Sequence, residues 1–140
     1  MNADEFWFKS SLFEIEPGED EKINPGIYGK QAAEWLAGKL RGLGYDGDVI
    51  EEDWGRCIMC AREPVWLWVG CANVDSDFPD RPEHPPKKEE VVWHCFVVAE
   101  SPFWKRLFKR VDTEPLRAKL SEQVSSILLA EPNISMVAEP

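Results

Sequence analysis

The segment from Asn24 to Gly55 constrains the fold more than any other stretch, because it joins a helix start, a helix end and an acidic-aromatic strand. Asn24 is a residue type that accepts hydrogen bonds from the amides of a first helical turn, and Pro25 suits the first helical position. Gly42 and Gly44 are typical of a helix end. The pattern predicts an amphipathic helix on a sheet, with one apolar stripe formed by Tyr28, Ala32, Trp35, Leu36, Leu40 and Leu43.

Several other segments have the composition of strands, bounded by glycine, proline and charged residues. Val91 to Ala99 is apolar in both of its alternating sets, which predicts a central strand covered on both faces or on one face plus a groove. Ile134 to Ala138 is expected to add a short strand at a sheet edge. The remaining segments with strand composition are Phe6 to Ile15, Asp48 to Asp53, Trp54 to Arg62 and Val65 to Ala72. The segments 48–53 and 54–62 form either one strand or two. Antiparallel pairing is expected among these segments.

The C-terminal third is predicted to be helical. Residues 103–111 are predicted to form a short basic amphipathic helix that begins with Ser101 and Pro102. Thr113 is expected to cap a second helix that ends near Pro132. The predicted helix at 103–111 has a basic face formed by Lys105, Arg106, Lys109 and Arg110 and an apolar face formed by Phe103, Trp104, Leu107, Phe108 and Val111. The helix that follows Thr113 is expected to bury Leu116, Leu120, Val124, Ile127 and Leu128.

Residues 75–90 are rich in proline and charge, so they predict a long loop that is either functional or only flexible, and flexibility is the simpler interpretation. The chain as a whole, residues 1–140, is expected to form a single α+β domain. We expect a mainly antiparallel, twisted sheet of about five strands with the helices packed on one face.

The run NPGIYGKQAAEWLAGKLRGLGYDG, followed by VIEEDWG, resembles a family of small uncharacterised bacterial proteins. These share an Asn-Pro-Gly helix start and a Glu-Asp-Trp-Gly strand. The resemblance covers about a quarter of the chain and implies one compact domain in a bacterial cytosol, with no catalytic residue and no activity attached.

Two further observations favour a cytoplasmic setting. Acidic Asp4 and Glu5 precede the first apolar residues where a secretion signal would be basic, and no apolar run approaches the roughly 20 residues of a membrane span. Four cysteines in a chain with this apolar content do not indicate a small disulfide scaffold, so reduced thiols are expected.

The net charge of −10 is unevenly distributed: residues 1–23 carry −5, 46–63 carry −4 and 73–100 carry −4, whereas 101–119 carry +4. An acidic protein repels phosphate backbones at long range, so binding of nucleic acid is disfavoured unless the basic segment acts alone. A basic protein would be attracted. The simpler interpretation of the charge is solubility.

Cys57 and Cys60 form a C-x-x-C pair, and with Cys71 and Cys95 they supply four thiols for one zinc ion. The pair lies in a predicted strand, where positions i and i+3 point to opposite faces, so it fits neither a zinc knuckle nor a redox dithiol at a helix start. Buried structural thiols are the favoured interpretation. We expect no metal and no cofactor.

Glu51, Glu52 and Asp53 are the best carboxylate cluster, with Trp54 next to them. A metal or acid/base role needs two of them to converge, and the alternative is a charged strand end that discourages edge pairing. His94 is expected to be a satisfied core histidine.

Most of the seven tryptophans are expected in the core. Trp66 and Trp68 share one face of a strand and are expected to meet Trp93 or the helix stripe that contains Trp35. Trp54 and Trp104 are the candidates for partial exposure.

Two hypotheses on function follow, and no residue is assigned a catalytic role. The first is a non-enzymatic acidic binding or inhibitor/immunity-type protein that engages a basic protein through Glu51, Glu52, Asp53 and Trp54. The second is a small enzyme or ligand-binding domain with a pocket between sheet and helices that uses Glu51, Asp53 and His94. A weaker possibility assigns the basic helix, through Trp104, Lys105, Arg106, Lys109 and Arg110, to anionic lipid or an acidic groove.

Overall fold

The computed structural model describes residues 4–16, 28–74, 88–101 and 112–140. Within them, six strands form one antiparallel sheet with two α-helices, which confirms an α+β fold with an antiparallel sheet. A 3-10 turn at Lys88–Glu90 precedes the fifth strand. The elements in chain order are β1 (Glu5–Ser10), α1 (Lys30–Gly42), β2 (Asp48–Glu52), β3 (Gly55–Ala61), β4 (Trp66–Asn73), β5 (Trp93–Glu100), α2 (Glu114–Ala130) and β6 (Ile134–Met136).

The strand order in the sheet is β2-β3-β4-β5-β1-β6. Strands β4 and β5 therefore lie at the centre, as the two apolar sets of β5 predicted. Strand β6 pairs with β1 at one edge, which confirms the expected edge strand and makes the sheet six-stranded rather than about five-stranded. The segments 48–53 and 54–62 are two strands, joined as a hairpin through Asp53 and Trp54.

The sheet has two unequal faces. The helix face packs against α1 and α2 and carries most of the core. Residues that stand opposite each other on antiparallel strands project to the same side, so the register defines a second face, here called the distal face. The helix face includes Phe6, Phe8, Ile58, Cys60, Leu67, Val69, Cys71, Trp93, Cys95 and Val97, and the distal face includes Trp7, Cys57, Met59, Trp68, Gly70, His94, Phe96 and Val98.

Helix α1 begins at Lys30, later than the predicted start at Asn24 and Pro25, which lie outside the described residues. Tyr28 is not helical. Its backbone N–H donates to Oδ1 of Asn73 at 2.8 Å, which ties the chain just before the helix to β4. Gly29 follows as the N-cap residue with a φ of +122°, a left-handed conformation that favours glycine, and its carbonyl accepts the first helical hydrogen bond, from Ala33.

The sheet-facing side of α1 is built from small and medium residues. Ala32, Ala33 and Ala37 let the helix approach the sheet closely, and Leu36 and Leu40 fill the space between them. Leu43 was predicted to belong to this stripe, but it lies just past the helix end and is 51% exposed.

Thr113 occupies the predicted N-cap position of helix α2, and its carbonyl accepts the first helical hydrogen bond, from Arg117, but its side chain makes no capping bond. A side-chain oxygen of Asp112 accepts from the N–H of Glu114 at 3.0 Å, which satisfies one free amide of the first turn. Asp4 ties the helix to β1, because it accepts a hydrogen bond from Ser121 at 2.6 Å and an ion-paired hydrogen bond from Arg117. The buried stripe consists of Leu120, Val124 and Leu128, with Ile127 partly buried beside it.

Two predictions lie outside the described residues. The basic helix, including Trp104, Lys105, Arg106, Lys109 and Arg110, falls in residues 102–111, and the predicted loop falls mostly in residues 75–87. Of the helices described here, neither is long and apolar enough to cross a membrane.

Candidate functional site

The β2–β3 hairpin separates the predicted carboxylate cluster onto two sides of the sheet. Glu51 stands opposite Arg56 and shares the helix face with it, whereas Glu52 stands opposite Gly55 and shares the distal face. Asp53 and Trp54 form the turn between the strands. The acidic-aromatic signature therefore forms a hairpin tip, with Glu51 on the helix face and Glu52 on the distal face.

Trp54 folds from this tip onto the distal face. Its ring lies 6.0 Å from that of Trp68 on β4 and 5.3 Å from that of Phe96 on β5, measured between ring centroids. Trp54 remains 38% exposed, which agrees with its predicted partial exposure. Trp68 was expected to meet Trp93 or the helix stripe that contains Trp35, but both belong to the helix side, and the strand register brings Trp68 to Trp54 instead.

Phe96 is held by a glycine on the neighbouring strand. Gly70 is the cross-strand partner of Phe96, and a Cβ atom at position 70 would lie 2.2 Å from the Phe96 ring. The ring thus lies flat against the backbone of β4, in space that only glycine leaves free. From there it contacts Trp54 on one side and His94 on the other.

The aromatic contacts continue to the far strand. His94 lies 5.1 Å from Phe96, and it stacks on Trp7 of β1 at 4.6 Å with the two planes 3° apart. We call Trp54, Trp68, Phe96, His94 and Trp7 the aromatic row. It crosses from the β2–β3 tip over β4 and β5 to β1, with Trp7 buried and the other rings half-buried or exposed.

His94 is not the core histidine that the sequence suggested. It is half-buried on the distal face, and its Nε2 lies 3.2 Å from Oε1 of Glu5. Glu51 lies on the other side of the sheet, and two strands separate β2 from β5. Glu51 and His94 therefore do not converge, and the described structure gives them no common pocket.

Carboxylates border the aromatic row. Cys57 lies on the distal face under this border, and burial raises the pKa of its thiol to about 11, with further contributions from the carboxylates of Glu52 and Glu100. Both glutamates are exposed, and within the described chain neither forms an ion pair. The surface thus combines an aromatic centre with a negative border.

The C-x-x-C cysteines lie on opposite faces, as their strand placement predicted. Cys57 faces the distal side, and Cys60 belongs to the core on the helix side, where its Sγ donates to the carbonyl of Ile58 at 3.6 Å. Burial raises the pKa of Cys60 to about 12. Among the described residues there is no group of three or more histidine, cysteine or acidic side chains placed to hold a metal ion.

Arg56 is a buried cation on the helix face, with its side chain 1% exposed. Its Nη1 and Nη2 make no hydrogen bond to the part of the chain described here, and the carboxylate of Glu51, itself 48% exposed, is 3.9 Å away. This distance is too long for a hydrogen bond. A buried charge with so little compensation lowers stability.

Arg56→Met is therefore expected to raise the free energy of unfolding by about 1–2 kcal/mol, because it replaces a buried charge with one distant, half-exposed counter-charge by an apolar side chain of similar length. Urea unfolding of the variant and the wild type measures the difference. The matched control is Arg62→Met on an exposed arginine that directly follows β3, which should change stability by less than about 0.5 kcal/mol. Destabilisation by Arg56→Met would show that the guanidinium is well compensated.

A separate groove of about 470 Å³ lies between the two helices, on the far side of the protein from the aromatic row. Trp35, Leu43 and Ile127 form its apolar part, and Lys39 and Glu122 are among its charged residues. None of Glu51, Asp53 and His94 lines it. This groove is therefore not the predicted pocket that would use Glu51, Asp53 and His94.

Sequence reasoning missed Trp7, Phe96 and Gly70 as parts of a surface. One signal was present, because both alternating sets of β5 are apolar although only one set packs under the helices. The site is defined by geometry alone, since no family model, curated protein or solved structure matches this chain.

Proposed function

We propose that this chain is a non-enzymatic binding protein that engages a basic protein partner through the distal face of its sheet. The observation that carries the proposal is the aromatic row with its half-exposed end at Trp54, bordered by the carboxylates of Glu52 and Glu100. A cytoplasmic setting, expected from the sequence, is part of the same proposal.

The aromatic row supports a binding role because its rings hold a partly exposed tryptophan in a defined position on the surface. Gly70 makes room for Phe96, and Phe96 in turn supports Trp54. Tryptophan and tyrosine anchors supported in this way contribute a large share of the energy in protein interfaces. Their π faces also attract the guanidinium and ammonium groups of a basic partner.

The charge supports a basic partner rather than an acidic one. The chain carries −10 overall, and Glu52, Asp53 and Glu100 are exposed around the aromatic row. Such a negative border steers a positively charged protein toward the surface and repels an acidic protein or a nucleic acid. An enzymatic role has less support, because Glu51 and His94 are on opposite faces of the sheet.

The test begins with capture on the immobilised protein at low salt, followed by reconstitution of each captured protein from purified components. The expected partner is basic, binds with an affinity that falls as salt rises, and protects the β2–β3 tip, β4 and β5 from hydrogen exchange. Protection of the two helices instead, or an acidic partner, would contradict the proposal.

The charge contribution has its own variant. Glu52→Gln with Asp53→Asn is expected to slow association several-fold at low salt, with a difference that shrinks as salt increases. The matched control is Glu34→Gln with Glu122→Gln, which removes two exposed carboxylates from the helices and leaves the distal face unchanged. Equal effects of the two double variants would mean that only net charge matters and that the distal face is not the binding surface.

A further inference from the structure

The two central strands hold a pair of cysteines in direct contact. Cys71 on β4 and Cys95 on β5 are cross-strand partners, and their Sγ atoms lie 3.1 Å apart. Both are buried on the helix face, beneath the helices. The contact is independent of the aromatic row, which lies on the other side of the sheet.

Strand pairing puts this pair within the geometric range of a disulfide. Directly opposite residues on antiparallel strands have Cα atoms about 4.5 or 5.5 Å apart, depending on the hydrogen-bonding position. Disulfides span Cα separations of about 4.4–6.8 Å. The register of β4 and β5 therefore places Cys71 and Cys95 for bond formation without a shift of the backbone.

We propose that Cys71 and Cys95 are a disulfide-forming pair, which closes when the chain folds in the presence of a small-molecule disulfide such as oxidised glutathione. One thiolate attacks the glutathione disulfide and releases one reduced glutathione. The second thiolate attacks the mixed disulfide and releases the other. The protein thereby loses two Sγ–H bonds and gains one Sγ–Sγ bond, and its two electrons and two protons are transferred to the two glutathione thiols.

If the chain folds with both cysteines reduced, the native fold protects the two thiols from oxidation. The hydrogen bond with Cys71, together with complete burial, raises the pKa of Cys95, so the reactive thiolate is scarce in the folded protein. Cys71 is 2% exposed and Cys95 is 1% exposed, so glutathione in solution has no direct access to either thiol. Oxidation is therefore expected to be slow in the native state and fast during refolding, when the thiols are accessible.

The other two cysteines serve as internal controls. Cys57 projects to the distal face, so it cannot reach the other three thiols from its place in β3. Cys60 lies on the helix face but donates its S–H to the carbonyl of Ile58. A chemically non-selective oxidation would involve these residues too, whereas selection by the strand register would leave them as thiols.

The experiment refolds the fully reduced, denatured chain in an oxidising glutathione buffer, alkylates the remaining thiols and maps the peptides by mass spectrometry. The expected result is one disulfide between Cys71 and Cys95, with Cys57 and Cys60 alkylated. Alkylation of all four cysteines, or a disulfide that includes Cys57 or Cys60, would overturn the proposal.

The bond is also expected to raise the thermal midpoint by about 5–10 °C over the reduced protein, since it closes a long loop in the unfolded chain. Cys71→Ala with Cys95→Ala should show no such difference between the two buffers. If that variant does not fold, the peptide map of the wild-type chain still decides the outcome. A lower midpoint in the oxidised protein would contradict a bond that fits the native register.

Discussion

Gly55→Ala is expected to lower the free energy of unfolding by about 2–4 kcal/mol. A Cβ atom at position 55 would lie 2.5 Å from the carbonyl oxygen of Cys71 and 3.0 Å from Cβ of Ala72. Both belong to the central strand β4, so neither can move without disturbing the sheet. Gly55 also has a φ of +157°, which side chains disfavour. Urea unfolding followed by tryptophan fluorescence measures the loss.

The matched control is Gly38→Ala. Gly38 lies in the interior of α1, and a Cβ atom there meets nothing within 4 Å. Alanine is a better helix former than glycine by about 0.5–1 kcal/mol, so this variant should be more stable than the wild type. If both substitutions change the free energy of unfolding in the same direction, the close approach of Gly55 to β4 is not what makes glycine necessary at the hairpin tip.

Trp54→Ala is expected to weaken partner binding about 30-fold or more while lowering stability by only about 1 kcal/mol. The large effect on binding follows from the proposed function, because Trp54 is the most exposed ring of the aromatic row and lies beside the acidic border. The small effect on stability follows from its partial exposure. Calorimetric titration with the reconstituted partner and urea unfolding measure the two quantities separately.

Two further variants serve as controls for Trp54→Ala. Leu129→Ala removes a side chain that is 70% exposed on α2, away from the distal face, and should leave the affinity within about twofold of the wild type. Trp54→Phe keeps an aromatic ring over Trp68 and Phe96 and should recover part of the lost affinity. Wild-type affinity in Trp54→Ala would remove the aromatic row from the binding surface.

The predicted strands largely agree with the observed ones, because strand signals are local. The segment predicted at 91–99 is strand 93–100, and the segment predicted at 65–72 is strand 66–73. Alternation, β-branched residues and flanking prolines are all visible within a few residues. The first strand was predicted too long, to Ile15 instead of Ser10, because Ile15 packs against the core without pairing in a strand.

The positions of helix starts were harder to predict. At α1 the backbone of Gly29 turns into a left-handed conformation directly before the helix, and Tyr28 donates to Asn73, which is far away in the sequence. At α2 Thr113 occupies the predicted N-cap position, but the side chain that accepts from the first turn is that of the adjacent Asp112. Tertiary contacts and the path of the backbone made these choices.

The sequence by itself determined the class of fold, the central place of β5, the separation of Cys57 from Cys60 and the acidic character of the surface. Each depends on periodicity or composition, which a linear chain carries in full. The sequence marks Glu51, Glu52, Asp53 and Trp54 as a strand end and predicts that the three carboxylates form one cluster. Only the tertiary structure separated Glu51 from Trp54, joined Trp54 to Phe96 and brought Cys71 against Cys95. The physical reason is that strand order and register decide which side chains meet across a sheet, and a shift of one residue in the register would have moved each of them to the opposite face.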